Sequence, residues 1–280
     1  MAGRLFVVGT PIGNLSDMSE RGLETLRSVD FIAAEDTRVT VKLLNRFDIK
    51  KPLLSYYEHN KKGHGRIIVD KILSGEDCAI VTDAGMPAIS DPGEDLVREC
   101  RKEGIEVVSV PGPSAVITAL AVSGMPSGRF CFEGFLSVNK SSRAKHLEQL
   151  KNETRTMIFY EAPHKLLSTL KDMLAVFGDR EIALCRELTK LHEQIENTAL
   201  SAAVKYYSEN APKGEFVIVL SGREETDERQ EYTLSDALKM ARDYMSDGMS
   251  ASSAAKTAAA DTGLKKRDIY SALTEEKDGP

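Results

Sequence analysis

Three short stretches combine glycine and proline so as to hold backbone close to a ligand: Gly9-Thr10-Pro11-Ile12-Gly13-Asn14-Leu15, Thr82-Asp83-Ala84-Gly85-Met86-Pro87-Ala88-Ile89-Ser90-Asp91-Pro92-Gly93 and Val110-Pro111-Gly112-Pro113-Ser114-Ala115. The first is too interrupted by proline for a dinucleotide-binding G-x-G-x-x-G and lacks the lysine of a phosphate-binding P-loop. Taken alone, it reads equally well as a tight turn. The second is more informative, because its two glycines and two prolines fix a backbone path and let it approach a ligand closely. Free N–H groups on such a loop suit a carboxylate or the edge of a base. The third is another rigid turn, and it brings Ser114 near a helix N-terminus.

Charge and proton chemistry come from a second set: Glu35, Asp36, Arg38, Glu58, His59, Arg186, Glu187 and Lys190. Glu35-Asp36-Thr37-Arg38 directly follows a strand-like run, so these charges belong at a cleft rather than in a core. A carboxylate there can accept a proton, and Arg38 or Lys190 can hold a phosphate. A competing reading has Asp36 and Arg38 capping the following helix and pairing with each other. His59, beside Asn60 and Lys61, reads as well as a surface histidine. No general base is singled out, and solvent can serve as the proton acceptor.

The elements that must position these groups follow from periodicity. Residues 4–9, 31–34, 52–56, 78–83 and 106–110 are short apolar or β-branched runs bounded by Gly, Pro or charge, and they read as strands. Residues 19–28, 61–73, 92–103 and 114–122 carry helical spacing between them. Such alternation predicts a mostly parallel sheet with helices on both faces, and so an α/β domain over 1–126. After Pro126-Ser127-Gly128 the pattern shifts: strands at 129–135, 156–161, 181–187, 193–198 and 215–221, with helices at 142–150, 164–177 and 201–209. Too little chain separates the two strands between 182 and 198 for a helix, so antiparallel pairing and a mixed α/β domain over 127–222 are predicted. Residues 222–231 are almost all charge and read as a linker. Beyond it, helical patterns at 234–246, 250–261 and 264–273 form a small domain over 232–280. Its last two helices resemble a helix-turn-helix, with Lys265, Lys266 and Arg267 opening the second, and it reads either as an RNA-contacting module or as a solvated bundle.

Composition narrows the class. At 280 residues, 41% hydrophobic and 29% charged, the chain has an ordinary globular balance. No apolar run approaches the roughly 20 residues that span a bilayer, and the N-terminus lacks a secretory cleavage pattern, so no membrane association is expected. Cys78, Cys100, Cys131 and Cys185 are scattered without a C-x-x-C pair, which argues against a metal site or disulfide framework and fits a reducing cytoplasm. A net charge of −6 gives no general attraction for phosphate, so any nucleic acid would need a local basic surface.

The three loops, in this order, resemble the tetrapyrrole methylase superfamily, whose members use S-adenosylmethionine (SAM) without the common Rossmann-type methyltransferase fold. A closer likeness lies in Ala34-Glu35-Asp36-Thr37-Arg38, Ser55-Tyr56-Tyr57-Glu58-His59-Asn60, the run from Asp83 to Gly93, Gly134-Phe135-Leu136, Tyr160-Glu161-Ala162-Pro163-His164 and Cys185-Arg186-Glu187-Leu188-Thr189-Lys190. Any one of these is weak, but six in register are specific. Together they are similar to the branch that methylates small-subunit ribosomal RNA.

The resemblance covers about residues 4–222 and extends to the helical tail. It implies two α/β domains with SAM bent in the cleft between them, held largely by backbone atoms. Position by position, the implied contacts are Ile12, then Ala84, Gly85, Met86 and Ile89, then Ser114 and Ala115, with Glu161 and Leu188 from the second domain. Where tetrapyrrole members carry Gly-Asp-Pro this chain has Gly85-Met86-Pro87, and where they often carry Tyr-Met it has Tyr160-Glu161. Backbone contacts tolerate both changes.

The implied reaction is methylation of a cytidine ribose 2′-hydroxyl in small-subunit (16S) rRNA, free or in the 30S subunit, by a cytoplasmic homodimer. Asp36, Arg38 and Glu187 are the leading catalytic candidates, with His59, Glu35 and Lys190 behind them. Arg38, Lys190, Lys265, Lys266 and Arg267 are the expected RNA contacts. Two alternatives stand beside this reading: a small-molecule methyltransferase acting on a tetrapyrrole, and a SAM- or RNA-binding factor without catalysis.

Overall fold

The computed structural model describes residues 2–91, 93–224 and 232–275. They form two compact units, Met1–Arg223 and Glu224–Pro280. Pro92 and residues 225–231, most of the charged linker, lie outside the described residues.

The first unit opens with five strands, β1 (Arg4–Val8), β2 (Phe31–Ala34), β3 (Leu53–Ser55), β4 (Cys78–Val81) and β5 (Glu106–Val110). They pair in the order β3-β2-β4-β1-β5, and every pairing is parallel. Parallel sheets need cover on both faces, which is why β2 and β4 read as unbroken apolar runs and are buried at every residue. The cover comes from α1 (Glu20–Ser28) and α2 (Thr37–Arg46) on one face and α3 (Lys61–Leu73) and α4 (Gly93–Lys102) on the other. Leu26 and Leu44 pack with Val8, Ile32, Ala34, Ala79 and Val81. Ile68, Ile72, Leu96 and Cys100 pack with Leu5, Val7, Phe31, Cys78 and Ile80. Period-two alternation along the strands deals successive side chains to these two cores.

This wiring creates the crevice. From β1 the chain crosses toward β2 on one face, whereas from β4 it crosses toward β5 on the other, yet β1 and β4 are neighbours. Adjacent strands whose connections diverge leave a gap at their carboxyl ends, where open α/β sheets bind ligands. The first and second glycine–proline loops follow β1 and β4.

The second sheet contains β6 (Phe130–Phe135), β7 (Thr156–Glu161), β8 (Glu181–Arg186), β9 (Gln194–Ala199) and β10 (Phe216–Leu220), in the order β6-β7-β10-β8-β9. Only β6 and β7 run parallel; the β8–β9 pairing is antiparallel, as the short connection requires, with Ile182 opposite Thr198. One face is covered by α6 (Lys140–Gln149), α7 (Pro163–Phe177) and α8 (Leu200–Glu209) over a core that includes Leu147, Leu170, Phe159, Leu184 and Ile218. The other face is covered by α5 (Ala115–Ser123), which leaves β5 of the first sheet but packs Val116, Ala119 and Leu120 on Ile158, Ala183, Cys185, Val217 and Val219 of the second. A helix handed from one sheet to the other fixes the two halves as one body.

The second unit carries α9 (Leu234–Ser246), α10 (Ala251–Thr262) and α11 (Lys266–Glu275) around Ala237, Ala241, Ala254, Ala255, Ala258, Ile269 and Leu273. Thr233 and Asp236 form a capping box on α9, and Ser250 caps α10. The helix starting at 92 in the sequence reading begins at Gly93 among the described residues, and α2 and a 3₁₀ turn at Leu15–Asp17 are further elements. No described helix is long and apolar enough to cross a membrane, and all four cysteines are free thiols.

Candidate active-site cleft

The glycine–proline loops lock onto one another. Thr10 and Gly85 exchange backbone hydrogen bonds of 2.9 and 3.1 Å, and the Thr10 hydroxyl donates to the Thr82 carbonyl at 3.1 Å. Gly9 lies against Gly112, where a β-carbon on Gly9 would stand 2.6 Å from the Gly112 Cα. Only residues without side chains permit this approach of the β1 and β5 loops. The second loop is braced by Asp91, whose Oδ1 accepts from the N–H groups of Ala88 at 2.8 Å and Gly93 at 2.7 Å. Ala88 and Ser90 hold positive φ values of 67° and 64°, and across the cleft Glu187 and Thr189 hold 51° and 65°. Non-glycine residues in this region store strain that surrounding structure must hold, a habit of binding sites.

Between the two sheets these loops enclose a cleft of about 580 Å³, within the range of small-molecule and cofactor sites. Its lining includes Ile12 from the first loop and Ala84, Gly85, Met86 and Ile89 from the second. Ser114 and Ala115 at the start of α5, Glu161 at the end of β7 and Leu188 beyond β8 complete the nine positions the sequence pointed to. Glu161 is buried at 3% exposure; its Oε2 accepts from the Thr169 hydroxyl at 2.6 Å and its Oε1 from the Ala162 N–H at 2.9 Å.

The charged candidates divide. Glu35 lines the cleft, with its Oε2 accepting from the Thr82 hydroxyl at 2.6 Å. Lys190 lines it too, donating to Glu187 Oε1 at 3.0 Å and Glu215 Oε2 at 2.9 Å. Burial works against its charge, but these two carboxylates outweigh burial and raise its pKa.

Asp36, Arg38, Glu187 and His59 do not line the cleft. Asp36 is the N-cap of α2: its Oδ1 accepts from the Arg38 N–H at 2.8 Å, and its carboxylate takes the Arg38 guanidinium at 2.6 Å. The Arg38 side chain, then its backbone N–H, holds the Asp36 pKa down to about 2. The capping alternative is thus present, and it leaves the Arg38 side chain 87% exposed beside the cleft. Glu187 turns back to accept from the Glu215 N–H at 2.9 Å and from Lys190; the Glu215 contact is the main cause of its lowered pKa. His59 packs edge-on to Tyr57, and Glu58 pairs with Lys61. Arg186 faces away from the cleft because strand neighbours alternate: Cys185 lines the cleft, while Arg186 donates to the Lys213 carbonyl at 2.6 Å and to Gln194 at 2.8 Å. In the separate helical unit, Lys266 donates to Ser252 and Arg267 lies beside Asp268.

Several lining residues carried no assigned role in the sequence reading. Asp83 sits in the quoted loop, and its Oδ1 accepts from the Asp36 N–H at 3.1 Å. Burial in the cleft wall raises its pKa, the Asp36 N–H opposes the rise, and the charges of Glu35 and Asp36 add to it. Asp91 is raised in the same way, mainly by burial, with Glu35 adding. Phe135, Tyr160, Glu215 and Phe216 also line the cleft. A short aromatic run at a strand end was the available signal for Phe135 and Tyr160; Glu215 and Phe216 reach the site only because β10 runs antiparallel to β7 and β8.

The family model for tetrapyrrole (corrin/porphyrin) methylases matches residues 4–204. Over 281 residues the chain is 46% identical to the ribosomal RNA small subunit methyltransferase I of Synechocystis sp., covering 99% of this chain and all of the relative. The protein of that name from Bacillus subtilis is 45% identical, with 96% of this chain and 94% of the relative covered. The chain belongs to the ribosomal RNA small subunit methyltransferase I branch of the tetrapyrrole methylases. Its relative from Thermotoga maritima, 53% identical, is matched along its whole length by 79% of this chain. Among solved structures, a diphthine synthase superposes with a TM-score of 0.59 at 14% identity, covering 78% of this chain and 90% of that one. A uroporphyrin-III-C-methyltransferase from Thermus thermophilus gives 0.56 at 16% identity, covering 78% and 94%. At such identities the likeness is one of fold, and it extends over the two sheets of this methyltransferase.

Proposed function

We propose that this methyltransferase transfers a methyl group from SAM, in line, to the 2′-hydroxyl of a cytidine ribose in small-subunit (16S) rRNA. The observation that carries the proposal is the convergence of Ile12, Ala84, Gly85, Met86, Ile89, Ser114, Ala115, Glu161 and Leu188, drawn from five separate loops and element ends, on one cleft. Their chemistry suits the donor. Ile12, Met86 and Leu188 offer apolar surface for an adenosine, while Glu35, Asp83 and Asp91 give one wall the negative field that favours an amine or sulfonium. Bound there, SAM supplies an electrophilic methyl carbon.

The chain's own residues then place and deprotonate the acceptor. Holding an oxygen at attack distance is worth roughly 7–11 kcal/mol in the best-aligned cases, and the interlocked loops provide the rigidity that this needs. Asp83, with its raised pKa and its position on the cleft wall, takes the hydroxyl proton; a carboxylate whose pKa lies nearer the working pH is the better acceptor. Arg38, anchored by Asp36, and Lys190, anchored by Glu187 and Glu215, bind phosphates flanking the target. Lys265, Lys266 and Arg267 at the start of α11 add further contacts to the RNA.

The test incubates purified protein and labelled SAM with free 16S rRNA, with small subunits from a strain lacking the enzyme and, in parallel, with a porphyrin precursor. Label on a cytidine 2′-oxygen is the expected result. Label only on a porphyrin precursor, or none despite SAM binding, would sink the proposal.

A further inference from the structure

Strand β6 ends in a device that the proposed reaction has not used. Its pairing with β7 slips between Phe132 and Gly134: Phe132 lies opposite Ile158 and Gly134 opposite Phe159, so Glu133 is an extra residue. Gly134 holds φ at 63°, and a β-carbon there would come 3.1 Å from the Ser90 hydroxyl of the second loop. A bulge of this kind re-aims the side chain that follows it.

That side chain is Phe135. It is 59% exposed although it lines the cleft. Its ring leans on Tyr160 at 5.4 Å between centroids, and Tyr160 is backed edge-on by Phe132 at 5.0 Å. Ile89, 50% exposed, is a second open apolar group in the lining. The fold thus spends a bulge and a left-handed glycine to hold an aromatic face open at the cleft, on a support of two further rings. An apolar ring serving only the core would be turned inward, as Phe159 of the neighbouring strand is.

We infer that Phe135 is the platform on which the target nucleobase stacks, setting the ribose of that nucleotide at the transfer site. This rests on the proposed RNA substrate. Single-stranded RNA is read by stacking splayed bases on aromatic side chains, and such a contact is sequence-tolerant because every base has a π-face. A ring braced from behind also loses little freedom when a base lands on it.

The experiment compares wild type with Phe135→Ala, Phe135→Leu and Phe135→Trp, using small subunits and labelled SAM. It reads KM for the subunit, kcat, SAM affinity by calorimetry, oligomeric state by sedimentation and the melting temperature. Loss of a stacked base corresponds to about a 5- to 150-fold weaker interaction. Phe135→Ala and Phe135→Leu are expected to raise KM within that range, with SAM affinity and melting temperature held, while Phe135→Trp stays within a few fold of wild type. Leucine performing like wild type would overturn the assignment, since apolar area alone would then suffice. So would an alanine variant with unchanged KM, or one whose main effect is to dissociate a dimer. If wild type itself leaves subunits unlabelled, the RNA reading fails and this assignment falls with it; if only the variants behave like wild type, the RNA reading stands and the assignment alone fails.

Discussion

Gly13, in the loop after β1, lies so close to Lys190, in the loop after β8, that a β-carbon would stand 2.5 Å from the lysine Cγ. It would also stand 2.7 Å from the Thr189 hydroxyl and 2.9 Å from the Leu188 carbonyl. This contact joins the two sheets at the rim of the cleft. Gly13→Ala forces the loops apart, and overpacking of this sort costs about 1–3 kcal/mol. The expected outcome is a lowered urea midpoint with weaker SAM binding in calorimetry; unchanged values for both would show that the loops have room to give.

Asp83→Asn puts an amide oxygen in place of the carboxylate oxygen that accepts from the Asp36 N–H and removes the proposed proton acceptor. Loss of a general base lowers kcat by roughly 10²–10⁴-fold, with SAM affinity retained. The pH dependence has a defined sign. Asp83 must be ionised to act, and its raised pKa puts the acid limb of kcat above the ordinary aspartate range. Glu35→Gln removes a neighbouring negative charge, so the limb should move to lower pH. An acid limb that stays in place in both variants would assign the proton to solvent.

The same raised pKa bears on stability. A carboxyl that holds its proton more tightly when folded stabilises below its unfolded pKa, and that contribution disappears as pH rises through the folded value. At neutral pH the ionised Asp83 therefore works against folding, and Asp83→Asn should melt at the wild-type temperature or above. A clear drop in melting temperature would point to a structural role instead.

Thr169 holds the buried Glu161 carboxylate. Thr169→Val preserves shape but leaves Glu161 Oε2 without its donor, at a cost of about 1–3 kcal/mol. Chemical denaturation measures this directly, and Thr169→Ser should recover most of the loss.

Arg38→Ala should weaken RNA binding at all sequences and flatten the plot of log affinity against log salt by about one unit of slope, as expected for one phosphate contact. Removal of residues 232–280 should leave SAM binding intact while RNA methylation falls. Full RNA activity in the truncated protein would show that Lys265, Lys266 and Arg267 do not anchor the substrate.

The sequence by itself determined most of the elements and the loops that line the cleft. Apolar runs such as residues 31–34 and 78–81 are buried on both faces and so write their parallel-sheet role into unbroken hydrophobicity; Gly9 and Gly112 mark close backbone approach, and Gly85 a positive φ, through residue type alone. Capping residues Ser19 and Ser250 fixed helix starts in the same local way. What only the tertiary structure decided is which charges reach the cleft. Glu35 faces it while its neighbour Asp36 turns to cap α2, because only these two residues separate a strand end from a helix start. Asp83 gains its raised pKa from burial and from Glu35, 48 positions away, and Phe135 gains its exposure from a bulge that exists only in the register with β7. Periodicity records which face a residue shares with its near neighbours; it carries no record of a distant carboxylate or of a slipped strand, and those raise the Asp83 pKa and leave the Phe135 ring open at the cleft.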